Sequence, residues 1–313
     1  MSVLAIDLGG SHVGCGVVSG GQVLASSSIK TDAKSLKHLL PELAAGLVEN
    51  CRAAGITPAE CKGIGIGFPA VLDSRSGEIL TTLRKFDDLS GADLLAWCTR
   101  EFHLRARMEN DAKLALLGEH FAGAARKYED VVMVTLGTGI GVAAMLQNRL
   151  LRSYMGHAGS SGGHLTVRLD GRTCTCGSIG CAEAEASTSV LQATAEAWPG
   201  FSESLLAREP VIDFAVVFRA RDAKDQVACE LLQHCISVWS ALAVTLIHAY
   251  GPQIMLFGGG VMKRQEEILA PIRSYVEQHS WRSSRGLTRI EAAALGGNAA
   301  LVGAEALFSE EYV

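Results

Sequence analysis

Four side chains in one short stretch carry the most specific chemistry of this 313-residue chain. They are the imidazole of His164, in Gly162-Gly163-His164, and the thiols of Cys174, Cys176 and Cys181. The sulfur spacings are two and five residues, and Gly177 and Gly180 lie at the bends between them. Zn2+ favours four such ligands in a tetrahedron, and a Cys3His set closes the coordination sphere against water. The expectation is therefore a structural metal that fixes the loop carrying His164 and Glu183. Two other readings stay open at this level: a chance grouping or a disulfide, and a zinc knuckle for nucleic acid. The knuckle needs basic and aromatic neighbours, and only Arg168 and Arg172 lie close.

A second kind of chemistry lies in two Gly-rich turns. The apolar run 3–6 ends in Asp7-Leu8-Gly9-Gly10-Ser11, and the chain then resumes an extended run over 13–18. Strand, turn and strand form a hairpin whose bare backbone N–H groups can grip phosphate oxygens, and Asp7 at the strand end could hold Mg2+ directly or through water. A hairpin that uses glycine only for its turn fits equally well. The pattern recurs at 130–145, where a strand leads into Thr135-Leu136-Gly137-Thr138-Gly139-Ile140-Gly141 and a further strand. Two matching hairpins suggest two related halves serving one nucleotide. Near the C-terminus a buried strand over 253–257 runs into Gly258-Gly259-Gly260 and a helix, a place where a nucleotide can lie against backbone.

The elements that would position these groups follow from periodicity. Residues 22–29 read as a third strand, 35–54 as an amphipathic helix and 63–70 as a buried strand. The alternating glycines of that last strand, Gly67 before Pro69 included, imply close approach of another backbone or a ligand. A hairpin is expected around 73–77, a helix over 93–102 and a short strand over 105–108. Glu109-Asn110-Asp111-Ala112 opens a helix through His120, so Asp111 is either a helix cap or a general base beside the amide of Asn110. Helices are expected over 184–197, 203–207 and 224–250, and from 294 to about 307.

Composition limits the rest. Lys and Arg number 28 against 33 Asp and Glu, a net charge of −5, which gives no electrostatic case for nucleic acid or an anionic membrane. No apolar run is expected to span a bilayer. Nine cysteines, six of them scattered in apolar or helical contexts, fit reduced buried thiols and a cytoplasmic setting. The length suggests two domains.

Taken together, these motifs resemble the ROK family (repressors, open reading frames, kinases), within the actin-like ATPase superfamily. DLGGS at 7–11 and TLGTGIG at 135–141 are similar to its phosphate motifs, and ENDAKLALLGEH at 109–120 to its catalytic helix start. The stretch from Gly162 to Ser187 is similar to its zinc signature, and FGGGV at 257–261 to its adenosine-side motif. The resemblance implies an α/β, two-domain actin-like fold of the ribonuclease H-like kind with an interdomain cleft. One domain would hold 1–118 with 297–313, and the other 119–296 with the zinc and the adenosine side. It implies ATP-dependent phosphorylation of a hydroxyl on a hexose or modified hexose, with Asp111 as general base. Asn110, Glu183, His164, Ser161, Gly67 and Pro69 would face the sugar. Asp7, Gly9, Gly10, Ser11, Thr135, Gly137, Thr138, Gly139, Gly258, Gly259 and Gly260 would face the nucleotide. His164 would also bind structural Zn2+ with the three cysteines, Mg2+ would accompany ATP, and a homodimer is expected.

Three positions depart from the family pattern. Ser161 stands where a glutamate is usual, Ser11-His12 where Thr-Lys is usual, and the 82–86 stretch, Thr82 to Phe86, replaces an Asn-Leu-x-x-Trp pattern. Ser161 removes a charged acceptor, so an N-acyl or otherwise modified hexose is expected in place of glucose; an ordered water restoring glucose binding is the competing reading. Two other functions are weighed against the kinase. A sugar-responsive repressor would carry a DNA-reading segment ahead of the first phosphate strand, which begins at residue 3. A catalytically dead sugar-binding module would have no use for Asp7 and Asp111.

Overall fold

A computed structural model describes residues 2–82, 85–154 and 156–309. Leu83 and Arg84, within the atypical 82–86 stretch, lie outside the described residues. The chain opens with β1 (Val3–Leu8), β2 (His12–Ser19) and β3 (Gln22–Lys30), then α1 (Leu40–Ala53). Next come β4 (Ile64–Phe68), β5 (Val71–Asp73), β6 (Glu78–Thr81), α2 (Gly91–Phe102), β7 (Ala106–Asn110) and α3 (Asp111–Ala122). The second half has β8 (Val131–Leu136), β9 (Ile140–Leu146), β10 (Arg149–Leu150), α4 (Ala182–Ala186), α5 (Thr188–Glu196), α6 (Phe214–Asp222) and α7 (Gln226–Tyr250). It closes with β11 (Ile254–Gly258), α8 (Gln265–His279), β12 (Arg289–Ala292) and α9 (Ala299–Ala306).

The chain clusters into two compact units. One comprises Met1–Met133, Ala143–Ser160 and Ala293–Val313, and the other Val134–Val142 and Ser161–Ala292. These bounds differ from a division at 118, because α3 is packed along its length against α9 and carries the residues after it into the first unit.

The first sheet has the order β3-β2-β1-β4-β7. Its hairpin strands are antiparallel, while β1, β4 and β7 run parallel, and the register pairs Asp7 with Gly67 and Gly67 with Glu109. That register brings the carboxyl ends of three strands level. The second sheet, β10-β9-β8-β11-β12, repeats the plan of a hairpin followed by later-arriving strands. The duplication read from the two Gly-rich turns is thus a duplication of topology.

The core of the first unit joins Leu4, Ile6 and Leu8 of β1 to Leu43 and Leu47 of α1 and to Ile64, Ile66 and Phe68 of β4. On the α9 side the contact is backbone to backbone. A Cβ on Gly118 would lie 2.0 Å from the Ala299 carbonyl oxygen, and one on Gly303 1.9 Å from that of Leu114. Glycine is required there because any side chain would force the two helices apart, and this tight crossing sets where α3 begins.

Several expectations are corrected. The helix expected from 35 begins at Leu40, because Pro41 suits a first turn and lacks the N–H an interior position needs. Val48, apolar in the same helical pattern as Leu43 and Leu47, is 41% exposed. The 184–197 helix breaks at Ser187, whose extended backbone separates α4 from α5. The expected helix at 203–207 is two short 3-10 turns. Of the scattered cysteines, Cys229 is exposed. One helix, Gln226–Tyr250, is long and apolar enough for a membrane span by length and composition, against expectation. Its apolar face is filled by its own unit, with Leu231, Cys235, Trp239, Leu242 and Leu246 fully buried.

Candidate active site and metal centre

In the first unit the site is built on strand ends. Asp7 sits near the end of β1, Gly67 beside it on β4, and Asp111 follows β7 directly. A Cβ on Gly67 would lie 3.2 Å from Asp7 Oδ1 and 3.6 Å from the Asp111 Cα, so the glycine leaves space between two carboxylates. The crevice outside the carboxyl ends of parallel strands is where open α/β sheets bind ligands. Burial pushes the Asp7 carboxyl up to about 7, with the neighbouring Asp111 adding to the shift. Burial also raises Asp111, opposed by the Ala112 N–H, by the positive charge of Lys85 and by the Asn110 amide. Asp7 has no hydrogen-bond donor or ion-pair partner for its carboxylate among the described residues. A desolvated carboxylate in that state suits a hard cation with oxygen ligands.

The capping question resolves in favour of Asn110. Its Oδ1 accepts from the Lys113 N–H at 3.2 Å, and its Nδ2 donates to the Ala70 carbonyl at 3.2 Å and to Asp111 Oδ1 at 3.0 Å. Asp111 is the first helical residue, with Oδ1 accepting from the Ala112 N–H at 2.8 Å and no capping duty of its own. Pro69 is buried where the chain leaves β4, in a tight turn closed by the Ala70 N–H on the Phe68 carbonyl at 2.8 Å. The Gly9-Gly10-Ser11 turn is closed by the Gly9 N–H on the His12 carbonyl at 3.0 Å, and Ser11 is exposed at its tip.

The second unit holds the other turn. The N–H groups of Thr188 and Ser189, at the start of α5, donate to the carbonyls of Gly137 and Thr138 at 3.0 and 3.1 Å. Sequence reasoning missed these two supports, whose only local signal is a Ser-Thr-Ser helix start. The Ile140 N–H donates to Glu183 Oε2 at 2.9 Å, and a Cβ on Gly139 would meet that oxygen at 2.4 Å. One carboxylate oxygen therefore holds the turn, while Oε1 has no partner among the described residues. Of the three late glycines, Gly259 has φ +93° and lies against the Leu136 backbone, whereas Gly260 faces open space, as does Gly137 of the earlier turn. Gly258 ends the buried β11. Thr135 belongs to β8, two residues before Gly137.

The Cys/His cluster is assembled in the same unit. Ligand atoms of His164, Cys174, Cys176 and Cys181 all lie within 4.8 Å of one another. Cys176 Sγ is 3.6 Å from Cys181 Sγ, and Cys174 Sγ is 3.5 Å from His164 Nδ1. Tetrahedral ligands at ordinary Zn–S and Zn–N lengths stand about 3.5–3.8 Å apart, so the donor set fits zinc. Nδ1 faces the thiols, which leaves Nε2 of His164 on the other side of the ring. Ser161 precedes the 3-10 turn Gly162–His164, and its carbonyl accepts from the His164 N–H at 3.0 Å. Glu185, only 2% exposed, accepts from the Arg172 N–H at 2.6 Å and so ties the cysteine loop to α4.

A family model described as the ROK family matches residues 3–311. The chain belongs to the ROK family. A glucokinase of Thermotoga maritima is 28% identical, the alignment covering 99% of this chain and 98% of that protein. A xylose repressor of Caldicellulosiruptor bescii is 26% identical, over 98% of this chain and 77% of that protein. Among solved structures, a ROK family glucokinase from Streptomyces griseus, in complex with glucose and AMPPNP, superposes with a TM-score of 0.83 at 28% identity. That superposition covers 98% of this chain and 99% of that one. The fold of this ROK protein is accordingly the α/β actin-like ATPase fold of the ROK sugar kinases.

Proposed function

We propose that this ROK protein is an ATP-dependent carbohydrate kinase that phosphorylates a hydroxyl of a hexose or modified hexose, with Asp111 as the general base. The observation that carries this reading is the paired carboxylates, Asp7 and Asp111, held across Gly67 at level strand ends. A repressor or a passive sugar binder has no need of two desolvated carboxylates facing one space, where burial raises both and Asp111 adds to the cost of ionising Asp7. A kinase does: one for the cation that accompanies ATP, one for the proton of the acceptor.

In this reading Asp7 would hold Mg2+, which supplies charge neutralisation on the phosphates when bound. Gly9, Gly10 and Ser11 in one unit, and Thr135, Gly137, Thr138 and Gly139 in the other, offer backbone N–H groups and hydroxyls to phosphate oxygens. Gly258, Gly259 and Gly260 serve the adenosine side. Asp111 accepts the proton as the acceptor oxygen bonds to the γ-phosphorus; the bond from that phosphorus to the β–γ bridging oxygen breaks, and ADP leaves. Asn110 fixes Asp111 by its amide. Gly67 and Pro69 shape the acceptor side in the first unit. Glu183 Oε1, His164 Nε2 and Ser161 are assigned to sugar hydroxyls in the second, and fixed acceptors of that kind reject analogues lacking a hydroxyl. His164 Nδ1, Cys174, Cys176 and Cys181 would hold a structural Zn2+ that braces this loop. A homodimer belongs to the same reading.

The test is ADP release with Mg2+-ATP and a panel of sugars. Turnover that depends on a sugar and is lost in Asp111→Asn supports the kinase. Sugar binding by calorimetry without turnover would hand the protein to the passive or regulatory reading instead. Glucose as the best acceptor would remove the inference drawn from Ser161 about a modified hexose.

A further inference from the structure

Among the described residues, Arg152 and Lys113 near the start of α3 are cations committed to the fold. Arg152 donates Nε and Nη2 to Glu109 Oε2 at 3.0 and 2.7 Å, and Glu109 is 1% exposed. Lys113 is fully buried and donates Nζ to the Gly156 carbonyl at 2.6 Å. Lys85 is different. It is half-buried, and its ammonium has no hydrogen-bond or ion-pair partner among the described residues.

The backbone that carries Lys85 is nonetheless fixed. The Lys85 N–H donates to the Thr82 carbonyl at 3.1 Å, and the Phe86 N–H to that of Ala33 at 2.7 Å. Phe86 is fully buried, edge-on to Phe68 with ring centroids 6.1 Å apart, and it holds φ +54°, a costly conformation for an aromatic residue. Phe68 is the register partner of Asn110, so Phe86 anchors this segment at the carboxyl ends of β4 and β7, where Asp111 begins. The Lys85 charge is felt by Asp111, yet the two groups form no ion pair. A half-buried positive group on a fixed backbone at the strand ends where the proposed base begins, with no counter-ion among the described residues, is a preformed anion contact.

We infer that Lys85 recognises an anionic substituent, a carboxylate or a phosphate, on the acceptor, so that the preferred substrate is an acidic sugar. This rests on the kinase reading and narrows its substrate class. The test compares kcat and KM, by ADP release with Mg2+-ATP, for matched acceptors: neutral hexoses, hexuronic acids, aldonic acids and hexose phosphates. It is run on the full chain and on Lys85→Met and Lys85→Arg. An acidic acceptor should exceed its neutral counterpart about tenfold or more in kcat/KM, the worth of one charge-assisted hydrogen bond. Lys85→Met should erase that preference chiefly through the KM of the acid, and Lys85→Arg should restore part of it. The carboxylate and phosphate arms identify which anion is read. A neutral hexose that matches or beats every acid in the unaltered protein overturns this inference and leaves the kinase standing. Equal losses for acidic and neutral acceptors in Lys85→Met, with a raised KM for ATP, would assign Lys85 to the phosphoryl donor and also overturn it. If no sugar supports ADP release, the kinase reading falls and takes the inference with it.

Discussion

The Asp7–Asp111 region and the Cys/His loop are built on opposite principles. Asp7, Gly67 and Asp111 are placed by strand register and by a helix crossing so close that only glycine fits at Gly118 and Gly303. Between Leu150 and Ala182, by contrast, the described residues form one three-residue 3-10 turn and two isolated bridges. That loop is held by converging thiols, by Glu185 on the Arg172 N–H and by short turns. One region inherits its precision from a packed core. The other must obtain it from a few local bonds, because a loop without a core loses little by opening. A closed metal site is a way to hold such a segment rigid.

The sharpest way to test that contrast is to change chemistry without changing scaffold. Asp111→Asn should lower kcat by roughly 10²–10⁴-fold, the usual worth of a general base, with a melting temperature no lower than the parent's, because the core that places residue 111 is untouched and a buried carboxylate is removed. A large loss of stability would show that Asp111 belongs to the scaffold. Next in size is metal removal. Chelation, or Cys176→Ser, should release zinc measurable by elemental analysis and raise the sugar KM tenfold or more, on the order seen when a metal's supporting groups are disturbed. Hydrogen exchange should speed up in 161–183 and stay slow in β1, β4 and β7. Uniform loosening of both regions would abolish the distinction drawn between them.

Smaller effects should come from the scaffold itself. Gly118→Ala puts a methyl into the Ala299 backbone and should cost about 1–3 kcal/mol, read as a lower melting temperature. Activity per folded molecule should fall too, as the start of α3 shifts. The smallest effect concerns charge. Burial raises the Asp7 carboxyl from 3.8 to about 7, with Asp111 second, so the folded protein binds a proton that the unfolded chain releases. That contribution is complete below pH 4, declines between about 4 and 7 and is gone above 7. Asp7→Asn should therefore melt several degrees higher than the parent at pH 8, and Mg2+-ATP should raise the melting temperature of the parent but not of this variant. No gain at pH 8 would mean that water or a counter-ion already compensates Asp7.

Much of this was legible because it is local. Cys174, Cys176 and Cys181 lie within eight residues, with glycines to let the chain turn, so the donor set could be read from spacing alone. The two Gly-rich turns were legible because each joins strands adjacent in sequence, and so was the α/β character of the chain. Local turns need no partner from elsewhere to be favourable, which is why residue types reveal them.

What the sequence could not give depends on residues far apart in the chain. Asp7 and Asp111 are 104 positions apart, and only the parallel register of β1, β4 and β7 brings them to one space. Asp111 could be a helix cap or a base until Asn110 Oδ1 took the Lys113 N–H and with it the cap. Lys85 lies in a stretch that the sequence marks only as atypical; that Arg152 and Lys113 are engaged, while Lys85 has no partner among the described residues, emerges only in the fold. Residue types determine which groups can ionise, coordinate or turn. Packing decides which of them meet, which are satisfied and which are left for a ligand, because desolvation and pairing are properties of surroundings that only the folded chain creates.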